Sequence, residues 1–203
     1  SVSLSSFPSS LRIRKEGENV MVMNTTIIIG AEAPSEDALS AARLTNKLTK
    51  PLNKRIFALL DTHVPEEVFT RDHLIIIGNT TVNTYLSPLA SEEARLPFNV
   101  AQIKLVEREK RQVIYIFGKE SAYRRKAAFL LSSYDKEKLE GTDICLTGKS
   151  NILEDIVRLS CTDLETVEEA TPLGKERDQQ KNLPAPTIVI SPSHLQCDDS
   201  EAG

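Results

Sequence analysis

Asp61 and His63 stand just beyond the apolar run Ile56–Leu60, and three further apolar runs end in Gly30, Gly78 and Gly118. In an open α/β sheet, catalytic side chains emerge at the carboxyl ends of strands, where the free N–H groups of helix starts also gather. A carboxylate and an imidazole there could do general acid–base work. Gly30, Asp61, His63, Gly78 and Gly118 therefore define a candidate ligand edge for a domain that binds or hydrolyses a small molecule. The sequence holds no G-x-G-x-x-G, no G-x-x-x-x-G-K-[ST] and no G-x-S-x-G nucleophile elbow, and Glu32 puts an acid where a phosphate would sit. His73 and His194 have no partners at metal-ligand spacing, so each His is read as a surface or capping residue. No catalytic residue, cofactor or metal ligand is assigned.

Cys145, Cys161 and Cys197 are too widely spaced to form a zinc set or a disulfide framework, and Cys145 inside an apolar run reads as a small buried hydrophobe. Arg124, Arg125 and Lys126 form a basic run off the apolar stripe of their helix, which predicts a solvated face. Asn24 and Asn79 each begin an N-x-T acceptor pattern for glycosylation.

The elements that must position these residues follow from pattern. Thr26–Ile29, Ile56–Leu60, Leu74–Ile77 and Val113–Phe117 are short, β-branched and apolar throughout, as strands covered on both faces are, and they read as central strands. A fifth run is Ile144–Leu146. Pro34 and Ser35 start a helix with Glu36 and Asp37 in its first turn, and Ala38, Ala41, Ala42, Thr45 and Leu48 make its apolar stripe. Tyr123, Ala127, Leu130, Leu131 and Tyr134 mark a second helix over residues 121–134. The runs 101–106 and 112–117, joined by a charged turn, predict one antiparallel pair.

The fold expected is α/β, a predominantly parallel central sheet with helices on both faces, one antiparallel strand pair and a flexible C-terminal tail. Residues 1–24 form an arm or edge hairpin and 25–150 the α/β domain. Residues 151–203 form a short helix over Ile152–Leu159 and then a largely disordered tail, in which Thr187–Ile190 is an apolar island suited to adding a strand to a partner's edge. Twenty-nine acids against 25 Lys plus Arg give a net charge of −4, which disfavours nucleic-acid phosphate as a partner. No apolar run approaches the roughly 20 residues that cross a bilayer.

Taken in order, Leu4-Ser-Ser-Phe-Pro, TTIIIGAEAPSEDALSAARLTNKL, HLIIIGNTTVN, VIYIFGKESAYRRKAAFLLSSY and LEGTDICLTG resemble the N-terminal α/β region of archaeal surface-layer proteins over most of 4–148. Gly30, Ala33, Pro34, Asp37, Gly78, Asn83, Gly118 and Gly141 carry the resemblance. Asn79 and Thr80 depart from the family's Gly and Pro, and Tyr123 stands where Thr is common. The resemblance implies an extracellular, non-catalytic structural module at the cell surface, in a glycoprotein that partners itself or other surface-layer proteins and needs no cofactor. In that setting Pro34 and Asp37 shape a strand-to-helix turn, and Asn83 satisfies backbone groups near the next helix start. The competing expectation is a cytoplasmic α/β domain using the ligand edge, and a third is an adaptor that binds through its tail.

Overall fold

The computed structural model describes residues 1–165 and 167. Before the main sheet, β1 (Ile13–Glu16) and β2 (Asn19–Val22) form an antiparallel hairpin of their own rather than an edge of that sheet. Leu4, Phe7 and Leu11, in the turns that precede it, are buried in the core.

The apolar runs become strands where their β-branched residues pack best, in a covered pleat. These are β3 (Thr25–Ile29), β4 (Phe57–Leu60), β5 (His73–Gly78), β6 (Ala101–Arg108), β7 (Arg111–Phe117), β8 (Asp143–Gly148) and β9 (Ile156–Leu159). They form one seven-stranded sheet in the order β4-β3-β5-β7-β6-β8-β9. Ile27 pairs in parallel with Ala58 on one side and Ile75 on the other, and Ile75 with Ile114.

One face is covered by α1 (Ser35–Leu52) and α4 (Ser121–Ser132), which bury Leu44, Leu48, Ala127 and Leu131 against Ile27, Ile75 and Ile114. The other carries α2 (Glu66–Arg71), a 3-10 segment (Thr84–Leu89) and α3 (Ala90–Arg95), with Leu86 and Leu89 packed over Ile28, Ile76 and Tyr115.

The sheet is mixed, not predominantly parallel. β6 pairs antiparallel with both β7 and β8, and β8 pairs antiparallel with β9. Local chain geometry is the reason. Glu109 and Lys110, at φ 49° and 64°, make the two-residue turn with positive φ at both positions that joins β6 back to β7. β8 then takes the open side of β6, because β5 already occupies the other side of β7.

Two expectations for single elements are also corrected. Ile56–Leu60 is an edge strand rather than a central one, since among the described residues β4 has β3 as its sole neighbour. Residues 156–159 are strand rather than helix, because their backbone pairs antiparallel with Cys145–Gly148. The expected disordered tail and the island Thr187–Ile190 lie outside the described residues. Among the described residues no helix is long and apolar enough to cross a membrane.

Candidate functional site

The carboxyl ends of β3, β5 and β7 do converge, but chain closes over them. Gly30, Gly78 and Gly118 are buried. A Cβ at Gly30 would lie 1.7 Å from the Val82 carbonyl oxygen, so the loop 79–83 sits directly on this strand end. Gly78 has φ 149°, a conformation that favours glycine, and it turns the chain into that loop.

Side chains tie the loop at every corner. Asn79 accepts from the Thr81 and Val82 N–H groups through Oδ1 and donates through Nδ2 to the Lys119 carbonyl. A Glu93 carboxylate oxygen accepts the Thr80 N–H at 2.7 Å. Asn83, fully buried, donates to the Ile28 and Ile77 carbonyls and accepts the Tyr85 N–H, which caps the 3-10 segment.

Asp61 belongs to this margin as a clasp. Its Oδ1 accepts the Ala31 N–H at 2.8 Å, and its Oδ2 accepts the Thr84 N–H at 3.0 Å and the Thr84 hydroxyl at 3.1 Å. Burial would raise its pKa, but the N–H groups of Thr84 and Ala31, the Thr84 hydroxyl and the Thr62 N–H outweigh it and hold the carboxyl below its ordinary value. The result is an anion already surrounded by donors, the reverse of a poised base. His63 is exposed, and its Nδ1 hydrogen-bonds to the neighbouring Thr62 hydroxyl, so the two residues at the end of β4 do not form a working pair.

Below the same margin lies a fully desolvated ion pair. Arg124 of α4 donates through Nε and Nη2 to both carboxylate oxygens of Asp37 at 3.0 and 2.7 Å, and through Nη1 to the Gly118 carbonyl. Both side chains are at most 1% exposed. This fork ties the start of α1 to α4 and to the end of β7. Arg124 is thus not on a solvated face, and neither is Lys126, whose Nζ donates to the Ile152 and Asp155 carbonyls. Arg125 alone of the three is half exposed. The sequence held a signal for Arg124, since it shares a helical stripe with Ala128 and Leu131 at i, i+4 and i+7, both buried.

His73 is buried at the amino end of β5 rather than lying at the surface. Its Nδ1 accepts the Gln112 N–H, which places the proton of the neutral ring on Nε2, and Nε2 has no partner among the described residues. Burial and the Arg111 charge lower its pKa to about 4.

Cys145 is not a free thiol. It forms a disulfide with Cys161, just beyond β9, with Cα atoms 5.3 Å apart. The reading from spacing missed this bridge because it depends on β9 returning alongside β8. Closing a loop of 16 residues is worth about 3 kcal/mol against the unfolded chain. Of the two N-x-T patterns, Asn24 is exposed, with its Oδ1 accepting from Lys54, whereas the Asn79 amide is tied into its turn. Among the described residues no group of three His, Cys, Asp or Glu is placed to hold a metal ion.

The unpartnered surface lies elsewhere. On the β1–β2 hairpin Ile13, Val20, Met21 and Val22 are 42, 58, 48 and 68% exposed. No polar signal in the sequence marks them, because their exposure follows from the hairpin standing outside the main sheet.

No protein-family model and no curated protein matches the chain. Among solved structures it is similar to one titled "Structure of CpGH84D", at 14% identity and a TM-score of 0.38. That similarity covers 66% of this chain and 22% of the other, so the present chain spans about a fifth of that protein's length.

Proposed function

We propose that the protein is a structural module of an archaeal cell surface, of surface-layer type, that works by contact with copies of itself or with neighbouring surface proteins. The observation that carries this reading is the hairpin. On a two-stranded element that is marginal by itself, Ile13, Val20 and Val22 share one exposed face. Such a face is stabilised by a partner.

The disulfide Cys145–Cys161 supports an oxidising location outside the cytoplasm, and the exposed Asn24 acceptor supports a glycosylated surface. The closed strand-end margin favours contact over catalysis, because Asp61, Asn79, Asn83 and Glu93 are each engaged in holding the backbone. Light scattering over a rising concentration series, with and without calcium, should show mass growing beyond the monomer. A mass that stayed monomeric throughout would count against the proposal. A thermal-shift screen of nucleotides and metabolites that raised the melting temperature would instead favour ligand binding at the margin of Gly30, Asp61, Gly78 and Gly118.

A further inference from the structure

Among the described residues, the open side of β4 is a strand edge without a cover. Among these residues β4 pairs with β3 alone, and Phe57 and Leu60 on it are 55% and 41% exposed. Unpaired, apolar strand edges are ready to pair with another segment, and proteins cover them or blunt them. Beside this edge runs a groove of about 550 Å³ lined by Ala38, Ala41, Ala42 and Thr45 of α1 together with Ile56 and Phe57.

Ala38 and Ala42 belong to the helical stripe that periodicity assigns to the core, yet both are exposed. The apolar face of α1 is therefore wider than the surface covering it. The rim is of one sign. Arg55 lines the groove, and Arg43, Lys47 and Arg125 line an adjoining hollow of about 420 Å³, with no acid on either among the described residues. That is notable in a chain of net charge −4.

We propose that this edge and groove are the docking site of the chain's own segment Thr187–Ile190, added to β4 as an eighth strand. The segment is β-branched, is bounded by Pro186 and Pro192, and matches the four residues of β4 in length. Beyond it come Asp198, Asp199 and Glu201 with no Lys or Arg, complementing the cationic rim. Antiparallel addition brings those acids toward the Arg55 end of β4. Strand addition draws its affinity from main-chain hydrogen bonds and its specificity from alternate side chains entering the groove.

The span is within reach of one molecule. Val167, like Leu159 of β9, packs against the core on the face that carries α2 and α3. Seven strands at a spacing of about 4.8 Å set β4 and β9 roughly 29 Å apart. The nineteen residues 168–186 extend up to about 60 Å.

Amide hydrogen exchange on the full-length chain tests this at the β4 amides that point away from β3. In the wild type they should exchange at least about tenfold more slowly than in full-length Val189→Pro, which cannot complete the ladder. The triple variant Asp198→Asn/Asp199→Asn/Glu201→Gln should lose part of that protection at low salt and less at high salt. Equal exchange in the wild type and Val189→Pro would overturn the proposal. So would protection that rises with protein concentration, because the occupant would then be a second copy.

Discussion

The margin formed by the ends of β3, β5 and β7 is built on the opposite principle from the exposed apolar surfaces of the hairpin and of β4. The first is rich in chemically capable groups, Asp61, Asn79, Asn83, Glu93 and the Asp37–Arg124 fork, and nearly every one is occupied by backbone or by its ion partner. Those surfaces have little chemistry but leave Val20, Val22 and Phe57 more than half exposed. A polar group with all its partners holds a fold together, whereas apolar surface without a partner is available for contact. Surface free for contact therefore lies on the hairpin and on β4, although the sequence draws attention to the strand ends.

The sharpest way to break this contrast is to remove one member of the buried ion pair. Asp37→Ala should cost about 3–5 kcal/mol in chemical denaturation, because Arg124 is left charged and desolvated. The double change Asp37→Leu/Arg124→Met should cost much less. A small loss in the single variant would mean that water reaches the pair and that this margin is not closed.

His73 gives the next largest effect. Its folded pKa of about 4 lies below the ordinary value of 6.5, so the unfolded chain takes up the proton first as the pH falls. Its contribution is fully present above pH 6.5 and is lost on descending toward pH 4, by up to about 3 kcal/mol. Denaturation midpoints across that window should flatten in His73→Gln, once other groups are matched by measuring both proteins at each pH.

Smaller again is Asp61→Ala, which frees the Ala31 and Thr84 N–H groups at a half-exposed position. A loss of about 1–2 kcal/mol is expected, with water replacing part of the clasp. The melting temperature should fall without any change in small-molecule binding. A ligand whose affinity depended on Asp61 would move the functional margin back to the strand ends.

Much of this fold was legible because its strands are short, continuous and β-branched: β3, β5, β7 and β8 fall where Thr26–Ile29, Leu74–Ile77, Val113–Phe117 and Ile144–Leu146 place them. Helix α1 starts at Ser35 behind Pro34 as its residues require. Strand direction was not legible, since the antiparallel placement of β6, β8 and β9 is decided by which side of each neighbour is open. Nor was the edge position of β4, because Ile56–Leu60 is as apolar as any central strand. Asp61 was found from its place after a strand, but its role reversed, since the donors around it come from Ala31 and Thr84, far along the chain in either direction. Arg124 was misplaced because charge outweighed its position on the Ala128 and Leu131 stripe.

The smallest expected change in stability carries the largest expected change in behaviour. Val20→Glu/Val22→Glu alters exposed positions of β2 and should shift stability by no more than about 0.5 kcal/mol. Light scattering of this variant beside the wild type, over the same concentration series, tests the contact function most directly. The account predicts that the wild type gains mass with concentration while the variant remains monomeric and folded. A wild type that stays monomeric, or a variant that associates as well as the wild type, would contradict it.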